Sequence, residues 1–104
     1  MSALLDNRIT VPQAELDAFC RVNHIRKLSF FGSVLRDDFG PASDIDVLVE
    51  FDPDHVPGYF RLSAMERELS AMLGRKVDLR TPGEISGYYL DRVLASSEVR
   101  YGAA

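Results

Sequence analysis

A chain of 104 residues, 46% hydrophobic and 27% charged, has the composition of one folded domain with one core, and its length leaves no room for a second lobe to grip an acceptor. A formal charge of −4 argues against a broad electrostatic footprint, so no nucleic-acid partner is expected. Cys20 is the single cysteine, which excludes an internal disulfide or a cysteine metal cluster. No apolar run approaches a membrane span or a signal-peptide core, which makes the cytoplasm the expected compartment and a membrane partner unexpected.

Thr10 to Gln13 has the T-x-x-Q form of a capping box with Pro12 in the first turn, and predicts a helix from about Val11 to Asn23 whose buried stripe is Leu16, Phe19 and Cys20. "KLSFF" reads as a strand ended by Gly32, and "VLRDDFG" as a short helical turn closed by Gly40-Pro41. The next strand is "DIDVLVEF". Side chains alternate along it, so Ile45, Val47 and Val49 share one face while Asp44, Asp46 and Leu48 share the other. Leu62, Met65, Leu69 and Met72 or Leu73 then recur at helical spacing and predict a helix from about Tyr59 to Leu73, terminated by Gly74. "KVDL" makes a further short strand, and "TPG" breaks the chain before a last helix around Ile85 to Ser96. The predicted order is α-β-α-β-α-β-α, in one domain over residues 1–104, with the first few residues and the Gly-Ala-Ala tail frayed.

Two carboxylates on one face of the most apolar strand are costly unless something compensates their charge. Asp44 and Asp46 lie two strand rises apart, about 7 Å, a spacing at which a divalent cation can be held between them. Upstream, across ten intervening residues, Gly32 allows a tight turn at a strand end and Ser33 opens the next segment, a corner suited to phosphate. A lone Gly-Ser is a common turn; its position ahead of the aspartate pair gives it weight. Asp78 repeats the anomaly, sitting mid-strand between Val77 and Leu79. Taken alone it reads as an edge or solvent-facing residue.

Gly32-Ser33, ten intervening residues and Asp44-x-Asp46 before an apolar run resemble the signature of the polymerase-beta-like nucleotidyltransferase superfamily. "FGSVLRDDFGPASDIDVLVEF" and "GRKVDL" are similar, in type and order, to the minimal nucleotidyltransferases, over most of the chain from about Phe19 to Leu79. The resemblance implies an α/β (α+β) fold with a small mixed β-sheet and flanking helices. It implies that Asp44, Asp46 and Asp78 are catalytic and hold two Mg²⁺ ions, and that Gly32, Ser33 and Arg36 bind the triphosphate of ATP. Asp78 would be the general base, or the ligand that draws the nucleophile onto its metal. The family further implies an antitoxin that transfers AMP to a tyrosine of a HEPN-type toxin, within a homo- or hetero-oligomer.

Two other readings stand beside this one. A binding-only antitoxin would occlude its toxin without turnover, although a pure binder has no need of three clustered carboxylates. A small-molecule nucleotidyltransferase would complete its acceptor pocket by self-association. His24 and His55 read as surface or capping residues, Cys20 as a small core residue, and Tyr88, Tyr89 and Tyr101 as residues that bury their rings and expose their hydroxyls, with a place near a base or a toxin as the other reading for Tyr88 and Tyr89.

Overall fold

The computed structural model describes residues 8–102. Its elements run α1 (Gln13–Val22), β1 (Ile25–Phe31), β2 (Ile45–Phe51), α2 (Tyr59–Leu73), β3 (Val77–Arg80), α3 (Gly87–Ser96) and β4 (Glu98–Tyr101), with single 3₁₀ turns at Gly32–Leu35, Pro53–His55 and Pro82–Glu84. The strands form one mixed sheet in the order β3-β2-β1-β4. β1 pairs antiparallel with β2 and β4, while β2 and β3 run parallel. The small mixed sheet with flanking helices therefore agrees with the α+β expectation.

Alternation along β2 divides the molecule into its two layers. Ile45, Val47 and Val49 are fully buried with Leu28 and Phe30 of β1, under Leu16, Phe19 and Cys20 of α1 and Met65, Leu69 and Leu73 of α2. Each such fully buried large apolar side chain contributes about 1.5–3 kcal/mol relative to exposure. Leu48 points the other way, into a smaller cluster with Phe31 and Val93, to which Ile85 and Leu90 add partly buried contacts. α3 thus covers part of the second face and leaves the Asp46 end of it open.

Several local expectations are corrected. α1 begins at Gln13 with Pro12 at its N-cap and no side-chain cap, so the Thr10 to Gln13 capping box does not form. The Gln13 amide instead donates to Asp17 Oδ1 at 2.8 Å and to the Arg100 carbonyl at 2.7 Å, ties that a tertiary neighbour makes possible. The helical turn in "VLRDDFG" is shifted back onto Gly32–Leu35. The last helix starts at Gly87, because Pro82–Glu84 forms its own 3₁₀ turn in which Glu84 Oε1 accepts from the Thr81 N–H and hydroxyl. β4 is a strand that the predicted order lacks. α2 spans the predicted residues and ends at Gly74 in the left-handed conformation, φ 70°. Of the tail expected to fray, Gly102 lies against the Arg26 carbonyl, and the remainder, like the first residues, is outside the described range.

β3 is an edge strand, and α2 covers its outward amides. Val77 N donates to Ser70 Oγ at 3.0 Å and Leu79 N to Glu66 Oε2 at 2.8 Å. Those bonds remove the free donors that would otherwise recruit another strand, and they fix the height of β3 against β2.

Candidate active site

The site forms where β1 ends, β2 begins and β3 runs alongside. Asp46 is the cross-strand partner of Phe31 on one side and of Asp78 on the other, so the row Phe31, Asp46, Asp78 crosses three strands. Neighbouring strands lie about 4.8 Å apart, which brings the two carboxylates together on the face that α3 leaves open. Their neighbours Ile45, Val47, Val77 and Leu79 point into the core and hold the backbone beneath them.

Gly32 closes this corner. Its φ of +76° is a left-handed conformation that side chains rarely adopt, and a Cβ there would overlap Asp46 Oδ2 and lie 3.1 Å from Cγ. Glycine is thus required both by the turn and by the approach of its backbone to the carboxylate. Ser33, inside the same turn, donates its hydroxyl to the Asp44 carbonyl at 3.4 Å, which braces the two halves of the motif.

The ten-residue spacer is held in place by two arginines. Arg8 Nη1 donates to the Val34 carbonyl at 3.1 Å, to the Ser33 carbonyl at 3.4 Å and to the Arg36 carbonyl, while its Nη2 lies 3.6 Å from Asp37. Arg75 Nη2 reaches the carbonyls of Gly40 and Ser43, both at 2.7 Å, and its guanidinium stands 4.6 Å over the Phe39 ring. These contacts order the segment between the glycine turn and the aspartates.

The electrostatics are those of crowded acids. Burial, then the Asp78 charge, then the Asp44 charge raise the pKa of Asp46, against the opposing pull of Arg36 and Arg80. Arg80, which sequence reasoning passed over, sits across the mouth of the site. Its Nη2 lies 3.0 Å from Asp78 Oδ2 and its Nη1 3.7 Å from Glu84 Oε2, and the Asp78 bond raises its own pKa. Asp44 is turned aside, with Oδ2 3.8 Å from Lys76 Nζ. Among the described residues no three acidic, histidine or cysteine side chains converge to hold a metal ion. The oxygen-only carboxylates of Asp46 and Asp78, paired in register and with crowded charge at Asp46, have the chemistry that suits a hard divalent cation, while Asp44 lies by Lys76.

Two hollows meet at this corner. One, of about 310 Å³, is lined by Phe31, Asp46, Asp78, Arg80, Ser86 and Tyr89. The other, of about 340 Å³, shares Phe31 and Tyr89 and continues along Gly32, Arg36 and Arg92. The fold therefore brings Asp46 and Asp78 into one hollow and Gly32 and Arg36 into the adjoining one, while Asp44 and Ser33 line neither. Arg92 and Tyr89 come from α3, far along the chain. The alternation of apolar and polar positions on that helix was the signal for them, and it carries no hint of which face meets the aspartates. His24 and His55 lie elsewhere, their rings stacked at 3.8 Å.

A family model described as "Nucleotidyltransferase domain" matches residues 15–99. The chain is 38% identical over 68 residues to a candidate protein adenylyltransferase of Methanocaldococcus jannaschii, covering 65% of this chain and 67% of that protein. Among solved structures, a chain of a toxin-antitoxin crystal structure with AMP-PNP superposes with a TM-score of 0.72 at 19% identity, over 88% of this chain and 74% of that one. A chain from the complex of a tri-AMPylated Shewanella oneidensis HEPN toxin with MNT antitoxin gives a TM-score of 0.65 at 18% identity, over 88% of this chain and 70% of that one. At these identities the structural likeness is one of fold.

Proposed function

The chain belongs to the nucleotidyltransferase domain family, and from that premise we propose that it transfers AMP from ATP to a hydroxyl of a partner protein, a tyrosine of a HEPN-type toxin, and so acts as the antitoxin of the pair. The observation that carries the reading is the register pairing of Asp46 with Asp78 beside the glycine turn at Gly32. The adenylyltransferase name of the M. jannaschii relative and the AMPylated toxin in the S. oneidensis complex supply the class of nucleotide and of acceptor.

In this reading Asp44, Asp46 and Asp78 would hold two Mg²⁺ ions, and Gly32, Ser33 and Arg36 would hold the triphosphate. Bound Mg²⁺ supplies charge neutralisation at the α-phosphoryl group and lowers the pKa of the attacking hydroxyl. The residues of the chain do the positioning. Gly32 lets the phosphates approach the backbone without a side chain between them and Asp46. Arg36, whose field already reaches Asp46, faces the developing charge of the departing pyrophosphate. Asp78 draws the acceptor hydroxyl toward the α-phosphorus and takes up its proton as the new phosphorus–oxygen bond forms and the bond to the bridging oxygen breaks.

The test is to incubate the protein with a HEPN-type toxin, ATP and Mg²⁺ and to measure the intact mass of the toxin. Added AMP on a tyrosine is expected with the wild type. Asp78→Asn is nearly isosteric and should still copurify with the toxin while leaving it unmodified and active in cells. Growth rescue by Asp78→Asn with unmodified toxin would overturn the enzymatic reading in favour of occlusion.

A further inference from the structure

The two hollows that meet at Tyr89 carry opposite charge. The first contains Asp46 and Asp78. The second is lined by Gly32, Arg36 and Arg92 and by no carboxylate. In a chain of net charge −4, a concave surface with two guanidiniums and no acid concentrates positive potential against the prevailing sign. The two arginines reach it from unrelated elements. Arg36 follows the Gly32–Leu35 turn, and Arg92 precedes Val93, which is 4% exposed and anchors α3 on Phe31 and Leu48. Arg36 is paired with Asp38 at 3.2 Å across an exposed contact, an arrangement that contributes little and is readily exchanged. The Arg92 guanidinium has no hydrogen-bond or ion-pair partner among the described residues, although it borders a cleft.

We propose that Arg92, together with Arg36, seats the terminal phosphates of the nucleotide and makes the site select triphosphates over monophosphates. The inference rests on the nucleotidyltransferase reading and extends it with a residue from α3. The triphosphate tail runs from the Asp46 and Asp78 cleft past Gly32 into the arginine hollow, because there two planar, five-donor side chains face an open volume of about 340 Å³ that no carboxylate lines, whereas Arg80 in the first hollow stands among Asp46, Asp78 and Glu84. The direction of the tail fixes the direction of the acceptor. In-line displacement puts the entering oxygen opposite the leaving pyrophosphate. The acceptor hydroxyl then arrives from the β3 side, where a hollow of about 490 Å³ lined by Tyr59, Ser63 and Glu66 shares Asp78 and Arg80 with the site.

Isothermal titration of the full chain with inorganic tripolyphosphate, ATP and AMP, without metal and then with Mg²⁺, tests the seat. Arg92 lies on an exposed helix position, so Arg92→Gln and Arg92→Lys should fold, which thermal unfolding checks. Arg92→Gln should weaken tripolyphosphate and ATP about tenfold or more and leave AMP unchanged, and Arg92→Lys should recover part of the loss. Equal affinity of wild type and Arg92→Gln for tripolyphosphate and ATP overturns the proposal, as does an equal loss for AMP. The two readings fail separately. AMP transfer with ATP binding indifferent to Arg92 would remove the seat and keep the enzyme. Arg92-dependent tripolyphosphate binding in a protein that neither binds ATP nor transfers AMP would remove the enzyme and keep an anion site.

Discussion

Gly32 lies so close to Asp46 that a Cβ on the glycine would overlap Oδ2 and stand 3.1 Å from Cγ of the carboxylate. The turn proposed to receive phosphates and the acid proposed to hold metal are therefore one steric unit. Gly32→Ala would incur the left-handed backbone cost of roughly 1–2 kcal/mol and displace the carboxylate as well. The expected outcome is a lowered melting temperature and a loss of AMP transfer of at least about a hundredfold, since a shift of about an ångström at the reacting centre has that effect. Thermal unfolding and single-turnover kinetics check it, and wild-type kinetics would show that the glycine serves only the turn.

Asp46 and Asp78 face one another without full compensation, which gives the metal-free protein a defined pH response. The folded pKa of Asp46 is raised above 3.8, so ionised Asp46 destabilises the fold above that folded value. As pH falls through the raised pKa the carboxyl takes up its proton, and the penalty has disappeared below the unfolded value. In EDTA, Asp46→Asn should therefore melt above wild type at pH 7, and the advantage should shrink toward pH 4. Mg²⁺ should stabilise the wild type and leave the variant unmoved. A gap between the two proteins that is independent of pH would disprove the repulsion.

Arg80 Nη2 lies 3.0 Å from Asp78 Oδ2 and its Nη1 3.7 Å from Glu84 Oε2, so its guanidinium would compete with a cation for the Asp78 carboxylate. An exposed pair of this kind contributes roughly 0–1 kcal/mol to stability, so Arg80→Gln should fold normally. Removal of the competing guanidinium should lower the Mg²⁺ concentration that gives half of the thermal shift. A higher Mg²⁺ requirement would show that Arg80 assists the bound ligands instead of competing with the metal.

Cys20 is fully buried in the main core, and burial, followed by the Asp17 charge, pushes its thiol pKa up to about 12. The thiolate is the reactive form, so the native protein should resist iodoacetamide at pH 8 and be alkylated only after unfolding in guanidinium. Mass spectrometry of the two samples reads the result directly. Rapid native labelling would place the thiol in a more open setting than the core provides.

Much of the site was legible in the sequence because its signals are local. Alternation along "DIDVLVEF" predicts Asp46 and Leu48 on the face opposite Ile45, Val47 and Val49, and β2 is divided in that way, while Asp44 precedes the strand. Gly32 at a strand end announces a turn, and the turn is there. The spacing of Leu62, Met65 and Leu69 states which face of α2 is buried. β4 was not legible. Glu98–Tyr101 has too few residues and too much charge to declare itself, and it becomes a strand because β1 offers an open edge and Arg100 Nε lies 2.6 Å from Glu98 Oε2. The capping motif at Thr10 also misled, because Gln13 found better partners in Asp17 and the Arg100 carbonyl.

Residue chemistry and a strand period of two were enough to mark carboxylates and a glycine turn with the makings of a metal and phosphate site, and to assign Asp46 and Asp78 to the strand faces away from the core. It took the packed fold to set Asp78 in register with Asp46, Asp44 beside Lys76, Arg80 across the mouth, and Arg92 and Tyr89 of α3 along one wall. Those relations join residues tens of positions apart. They are set by the parallel pairing of β2 with β3 and by Val93 docking on Phe31 and Leu48, where burial of apolar area, blind to the sequence separation of its partners, chooses what lies beside what.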